Sequence, residues 1–249
     1  MDVFAVEGLP EVEEGDDLAA MVAERVDLRP DDVVCIASTV VSKAEGRTAD
    51  LAEYEAGKRA RRIATRAAEE AGEDKDPRFA QAVIEASEEL LMDRPIMLAV
   101  TPFGHITVNA GVDRSNVPGA DLLLLPEDPT ASAERLRAGL GTRVVVTDTS
   151  GRPFRYGQRG VAVGWAGLPA ARDWRGESDR EGREMEATVQ AVVDELAGAA
   201  NLVTGEGAGG TPVAVVRGFE FGDHAGDDDL FRTPEDDLVR PALREYYSE

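Results

Sequence analysis

The stretch Arg143-Val144-Val145-Val146-Thr147-Asp148-Thr149-Ser150-Gly151-Arg152 decides how the chain is read. Arg143 to Thr147 reads as a buried strand, and it runs straight into a cluster of hydroxyl and carboxylate side chains. Strand ends are where open sheets commonly build their sites. Two further apolar strands end in the same way. Asp32 to Ala37 leads into Ser38-Thr39, with Lys43 close behind, and His105 to Val108 leads into Asn109-Ala110-Gly111-Val112-Asp113-Arg114-Ser115-Asn116.

Working outward, Val3 to Val6 predicts a short opening strand, broken by Gly8-Leu9-Pro10. Asp16 or Asp17 can cap a helix reaching about Val26. Val40-Val41 continues the extended pattern of the strand before it. Residues 51–71 read as a charged helix, and Asp76-Pro77 opens another to about Leu91. Ile96 to Val100 and His105 to Val108 predict a hairpin. Leu122 to Leu125 is a short apolar piece. Ala131 to Leu140 reads as a helix, Val161 to Ala166 as a strand, and Glu181 to about Val203 as the longest helix. Pro212 to Val216 is the last strand, and Thr233-Pro234-Glu235-Asp236 opens a C-terminal helix. Strands and helices mix without strict βαβ alternation. The expected fold is therefore α/β (α+β), with mixed sheets and helices in an unusual topology. No internal repeat or linker divides residues 1–249, which are expected to form a single unit that can separate into two lobes with the active site between them.

Charge narrows the function classes. The chain has 49 Asp+Glu against 27 Lys+Arg and a net charge of -22. Such a surface repels nucleic acid and anionic lipid, so neither is expected as a partner. No apolar run is long enough to span a membrane. The start lacks the basic region of a signal peptide, so a cytoplasmic protein is expected. Lysine occurs only at 43, 58 and 75; the other basic residues are arginine. A surface this acidic repels itself at low salt and is screened at molar salt, which points to the cytosol of a halophile. The one cysteine, Cys35, sits in an apolar run, excludes an intrachain disulfide framework and reads as a buried small hydrophobe.

Gly205-Glu206-Gly207-Ala208-Gly209-Gly210 matches the dinucleotide fingerprint as text. The helix precedes these glycines and the strand follows, the reverse of what that fingerprint needs. The loop can still cradle phosphates through backbone N–H groups, with Glu206 holding a metal beside them; a plain helix-to-strand turn is the alternative. No P-loop motif and no G-x-S-x-G elbow occurs, and His105 and His224 lack zinc-ligand spacing with Cys35. Asp113, Asp148 and Glu206 together could hold one or two hard divalent cations, although each alone reads as a turn residue. From Gly141 to Arg172 the only acid is Asp148, against Arg143, Arg152, Arg155, Arg159 and Arg172. Burial depletes charge but does not explain arginines without acids; an anion site does.

At these same residues the sequence resembles the coenzyme F-420-0:γ-glutamyl ligase family (CofE). The segments that carry the resemblance are Val6 to Pro10, Ser38 to Gly46, Val108 to Asp113, Ser115 to Val117, Thr147 to Arg152, Asp173-Trp174, Asp179 to Glu184 and Asn201 to Gly210. They run in family order and cover nearly the whole chain. Glu11, Ser150, Met185 and Thr204 depart from the family's usual residues, and none of them replaces a presumed metal ligand.

The resemblance implies a GTP-dependent ligase that adds L-glutamate, successively and γ-linked, to the phospholactyl side chain of a deazaflavin through an acyl phosphate. It implies an intertwined homodimer, a nucleotide site that is not a P-loop, two divalent cations (Mg2+ or Mn2+) per subunit, and K+. Carried over, Asp113 and Asp148 hold one metal, and Thr149 and Glu206 the other. Leu9, Pro10, Glu11, Val12, Ser38, Thr39, Lys43, Asn116 and the loop Thr204, Gly205, Glu206, Gly207, Ala208, Gly209, Gly210 and Thr211 contact GTP. Lys43, read as an ammonium in an apolar strand region, suits a phosphate. Arg152 and Arg155 are inferred from charge alone as anion binders at the catalytic centre. The alternatives are another divalent-metal-dependent amide ligase or phosphotransferase using GTP, or an acidic binding protein without activity.

Overall fold

In the computed structural model, residues 1–72 and 74–247 are described. Along the chain the strands are β1 (Asp2–Ala5), β2 (Val33–Ala37), β3 (Thr48–Ala49), β4 (Glu89–Met92), β5 (Leu98–Val100), β6 (Ile106–Val108), β7 (Leu122–Leu123), β8 (Arg143–Ser150), β9 (Arg159–Ala166), β10 (Ala171–Asp173), β11 (Val189–Gln190), β12 (Val213–Arg217) and β13 (Ala225–Asp227). The α-helices are α1 (Leu18–Ala23), α2 (Ser38–Ala44), α3 (Lys58–Ala71), α4 (Pro77–Glu85), α5 (Pro129–Leu140), α6 (Val192–Thr204) and α7 (Arg240–Tyr247). This is the mixed α/β class expected. The chain forms two compact units, Met1–Ala44 with Asp128–Leu230, and Glu45–Glu127 with Phe231–Glu249. Among the described residues no helix is long and apolar enough to cross a membrane.

The first unit is built on a five-stranded sheet in the order β1-β12-β2-β8-β9. Only β2 and β8 run parallel; the other neighbours are antiparallel. Val33, Cys35, Val145, Ala162, Ala214 and Val216 face α6, burying Val192, Val193, Leu196 and Ala200 against one side of the sheet. Burial pushes the Cys35 thiol up to about 12, so it behaves as a small hydrophobe. Where β2 begins and β12 ends, buried Asp32 receives the Arg217 guanidinium at 2.7 and 2.9 Å, which holds its carboxyl below the usual range.

Strand β9 determines where the helices seat. Val146 pairs with Gly164 and Thr147 with Ala162, so Val163 is an extra residue on β9. This bulge inverts the pleat, and residues either side of it face opposite layers. Gly160 accordingly lies under α6, where a Cβ would come within 2.4 Å of the Ala197 carbonyl. Gly164 lies under the start of α5, where a Cβ would meet the Pro129 carbonyl at 2.3 Å. Each glycine lets a helix backbone rest directly on the strand.

The second unit holds the pair β3–β7 and the antiparallel sheet β4-β5-β6. Leu51, Ile63, Phe79, Val83, Met97 and Leu122 are among its core residues. Glu89 on β4 accepts from both Arg240 and Arg244 of α7 at 2.5–3.1 Å.

Several expected elements are redrawn. The predicted helix over 51–71 is a short 3-10 turn at Leu51–Glu53 followed by α3; Asp50 and Glu53 close a capping box around that turn, and Gly57 restarts the chain. The helix expected from Glu181 begins only at Val192, because Asp179 turns the chain by accepting from the backbone of Glu181 and Arg183. Val40-Val41 are helical within α2. The helix opened by Asp76 ends at Glu85, and the residues expected to finish it form β4. The C-terminal helix starts at Arg240, after a turn at Thr233.

Candidate functional site

The parallel pair β2–β8 places two strand ends side by side. Ala37 is in register with Thr147, so Ser38 and Asp148 are the next residues out. Ser38 Oγ donates to Asp148 Oδ1 at 3.2 Å, and Ser38 is buried at the start of α2. Side chains alternate faces along β8. Val145 faces α6, so Thr149 does too, while Asp148 turns to the α2 side. Thr149 Oγ1 donates to Glu206 Oε1 at 3.0 Å, and Asn201 Nδ2 donates to the same oxygen at 2.6 Å. Asn201 lies in the last turns of α6 and Glu206 just beyond its end.

Two contacts seat α6 for this. Near its C-terminal half, Gly160 lets Ala197 rest on β9, and Gly160 pairs with Thr149 in the β8–β9 register. At its N-terminal end, Asp194 accepts from the Ala162 backbone at 2.9 Å, with Arg159 at 3.5 Å. Burial raises the Asp194 pKa, opposed by that backbone bond and by Arg159.

The glycine loop arrives at the same edge. Ala37 N donates to the Pro212 carbonyl at 2.9 Å, which puts the end of the loop beside the end of β2. Thr211 Oγ1 closes the loop by donating to the Thr204 carbonyl at 3.1 Å. Gly205 and Gly210 have φ of 70° and 64°, the left-handed region that favours glycine. Nothing lies within 4 Å of where a Cβ would sit on Gly205, Gly207 or Gly210, so one side of the loop is open to a ligand. The helix-then-strand order around the loop is the one expected, and it departs from a dinucleotide-binding turn.

Residues 9–12 lie beside α2. Lys43 Nζ is ion-paired with Glu11, and Gly15 N donates to the Ala44 carbonyl. Lys43 therefore belongs to a helix and already has a carboxylate partner, which differs from the free ammonium on a strand read from sequence. Glu11, one of the departures from the family pattern, is that partner.

Asp113 and Asn116 belong to the second unit and share one turn. Asp113 bridges to Leu123 through its backbone. Its carboxylate accepts from Arg114 N at 2.7 Å, Ser115 N at 3.0 Å and Ser115 Oγ at 2.5 Å. Asn116 has φ of 53°. Within each unit, among the described residues, no group of three or more His, Cys, Asp or Glu side chains converges on one point.

The donor chemistry of the first unit still suits hard divalent cations. Thr149 and Glu206 on the α6 side of β8, and Ser38 and Asp148 on the α2 side, offer only hydroxyl and carboxylate oxygens.

The arginine excess resolves into distinct roles. Arg143 donates to the Phe219 carbonyl, and Arg159 pairs with Asp194. Arg172 lies over Trp174, Phe219 and Phe221 at 5.1–6.0 Å from the ring centres. These three have structural partners, and only Arg152 and Arg155 project from the turn between β8 and β9. Asn201 and Gly160 were missed from sequence. Asn201 was visible as the start of the Asn201–Gly210 segment, but its bond to Glu206 depends on the helix end.

The model of a family described as F420-0:Gamma-glutamyl ligase matches residues 8–218. A coenzyme F420:L-glutamate ligase of Natronomonas pharaonis is 70% identical over 246 residues, 99% of this chain and 97% of that protein. One of Haloarcula marismortui is 68% identical over 252 residues, covering 99% and 98%. One of Archaeoglobus fulgidus is 45% identical over 250 residues, covering 98% of each. The resemblance read from the strand-end segments and these matches point to the same family, and the relatives at 68% and 70% identity come from halophilic archaea, as the charge suggested.

Proposed function

Because this chain belongs to the F420-0:Gamma-glutamyl ligase family, we propose that it joins L-glutamate to the phospholactyl side chain of a deazaflavin precursor of coenzyme F420, using GTP. The observation that carries the reading is the meeting of Thr149 and Asn201 on Glu206 where β8 and α6 end, beside an open glycine loop.

A carboxylate is a poor acyl donor until one oxygen becomes a good leaving group. In the proposed reaction a lactyl carboxylate oxygen takes the γ-phosphoryl of GTP, giving an acyl phosphate and GDP. The amine of glutamate then attacks the acyl carbon, forms the amide and expels phosphate, with loss of the ammonium proton. The same sequence on the new γ-carboxyl adds a second glutamate.

The chain's residues bind and orient the reactants. The backbone N–H groups of Gly205 to Gly210 cradle the phosphates. Ser38, which opens α2 at the end of β2, and Lys43, in the last turn of α2, contact the nucleotide, with Glu11 paired to the Lys43 ammonium. Asn201 and Thr149 fix the Glu206 carboxylate by donating to one oxygen, leaving Oε2 for a cation. Asp148 and Asp113 are the remaining carboxylates proposed as metal ligands, and Asn116 is proposed as a nucleotide contact. When bound, Mg2+ or Mn2+ neutralises the phosphate charge and aligns the transfer. A homodimer, a requirement for K+ and a cytoplasmic setting belong to the same proposal.

The test is phosphate release. Release from GTP that requires L-glutamate, the deazaflavin phospholactate and a divalent cation together supports the ligase. Release at the same rate without the deazaflavin would instead favour a different GTP-using ligase or phosphotransferase.

A further inference from the structure

The hairpin that carries Asp148 and Thr149 at its base exposes two aromatic rings at its tip. Phe154 and Tyr156 are 100% and 103% exposed, as open to water as in an extended chain. Phe154 also has φ of 66°, a left-handed conformation that bulky side chains rarely adopt. Strain and bare apolar surface together are unfavourable in the free protein, and such outliers concentrate at ligand clamps. Arg152 precedes the two aromatic residues and Arg155 lies between them in the chain. Among the described residues Arg152 Nη2 donates to the Tyr156 carbonyl at 3.4 Å, and the stretch from Gly151 to Gln158 holds no acid in a chain of net charge -22.

We propose that this tip, Arg152 to Tyr156, is the seat of the acceptor in the ligase reaction. The inference rests on the reading of the preceding section and assigns a binding site to its substrate. The deazaflavin is a planar aromatic system bearing a phosphate and a carboxylate. Phe154 and Tyr156 supply faces on which a planar ring stacks, and stacking on exposed aromatics tolerates many ring types. Arg152 and Arg155 supply guanidinium forks for the phosphodiester and the lactyl carboxylate. Because β8 leads directly from the tip to Thr149 and Asp148, the anionic tail is directed along the hairpin toward the reacting end. A second copy of this chain, acidic overall, is the other occupant that could cover the rings; two ring faces beside two guanidinium groups match the planar, doubly anionic acceptor, and the sedimentation measurement separates the two.

The test is direct binding of the deazaflavin phospholactate, read by its own fluorescence anisotropy, to the wild type and to Phe154→Ala, Tyr156→Ala and Arg155→Ala. Acceptor binding is expected to weaken roughly 10-fold or more in each, with GTP binding and the sedimentation coefficient unchanged. Phe154→Trp, which keeps a stacking face, is expected to retain binding. Wild-type affinity in all three variants would overturn the proposal. So would a fall in sedimentation coefficient with acceptor affinity retained, which would make the tip an interface between copies. Wild-type protein that turns over while the variants bind normally removes only the tip assignment. Wild-type protein that binds the deazaflavin through the tip yet yields no glutamylated product defeats the ligase reading and leaves the binding site standing.

Discussion

Thr149 and Glu206, 57 residues apart in sequence, are joined by a 3.0 Å hydrogen bond from the threonine hydroxyl to Glu206 Oε1. The bond ties the end of β8 to the glycine loop, and Asn201 donates to the same oxygen at 2.6 Å. The proposed chemistry depends on this junction, so most of the expected effects of substitution trace to it.

Asn201→Ala removes a donor that orients the Glu206 carboxylate. Partners of this kind are worth about 10–100-fold in metal affinity or activity. The variant is expected to need a correspondingly higher Mn2+ concentration for half-maximal turnover, at an unchanged melting temperature. A metal titration identical to wild type would remove Asn201 from its positioning role.

Asp148→Asn and Glu206→Gln are expected to lose turnover by at least about 100-fold, since each removes a charge proposed to hold a cation against phosphate. Circular dichroism should match wild type. Near-normal rates in both at saturating metal would exclude the cation site from the first unit.

Gly160→Ala places a methyl 2.4 Å from the Ala197 carbonyl. Overpacking of this kind is destabilising by about 1–3 kcal/mol, which for a chain of this size lowers the melting temperature by roughly 2–4 °C per kcal/mol. The shift of α6 should also loosen Glu206 from Thr149 and reduce turnover. A calorimetric scan in molar KCl that shows no change would mean the helix is not seated on Gly160.

The pH dependence of stability has two components in the second unit. Burial holds His105 neutral and lowers its pKa from 6.5 to about 4. Its contribution is complete above 6.5 and fades as pH falls toward about 4. The guanidinium of Arg244, against a smaller opposing effect of burial and with help from Arg240, lowers Glu89 from 4.5 to about 2. That contribution is complete above 4.5 and is lost only as pH falls toward about 2. Urea melts from pH 7 to 3 should show a loss between 6.5 and 4 that His105→Phe abolishes and Glu89→Gln preserves.

The central sheet was legible because β2, β8, β9 and β12 are apolar on both faces, which leaves an unmistakable run in the sequence. The strand-end clusters followed from those runs, as did the glycine loop. The meeting of Asn201 and Thr149 on one Glu206 oxygen was not legible, because it depends on a one-residue bulge at Val163 and on the close approach at Gly160. Local signals also misread Val40-Val41 as extended, since β-branched residues are compatible with a buried helix. The helix expected from Glu181 failed because side-chain capping by Asp179 outcompeted it. The short strands β10, β11 and β13 carry too little apolar pattern to read.

The 49 acidic residues should make stability depend on salt. The Debye length falls from about 10 Å at 0.1 M to about 3 Å at 1 M, so self-repulsion is screened. The melting temperature is expected to rise through a KCl series from 0.1 to 3 M. A flat series would mean that the surface charge is not an adaptation to salt.

The most direct measurement is one incubation of the wild-type protein with the deazaflavin phospholactate, L-glutamate, GTP and Mn2+ in molar KCl, read by mass spectrometry. Products heavier by one and two glutamyl units, formed with GDP and phosphate, are expected. Unchanged deazaflavin from folded protein supplied with Mn2+ would contradict the proposed ligase reaction.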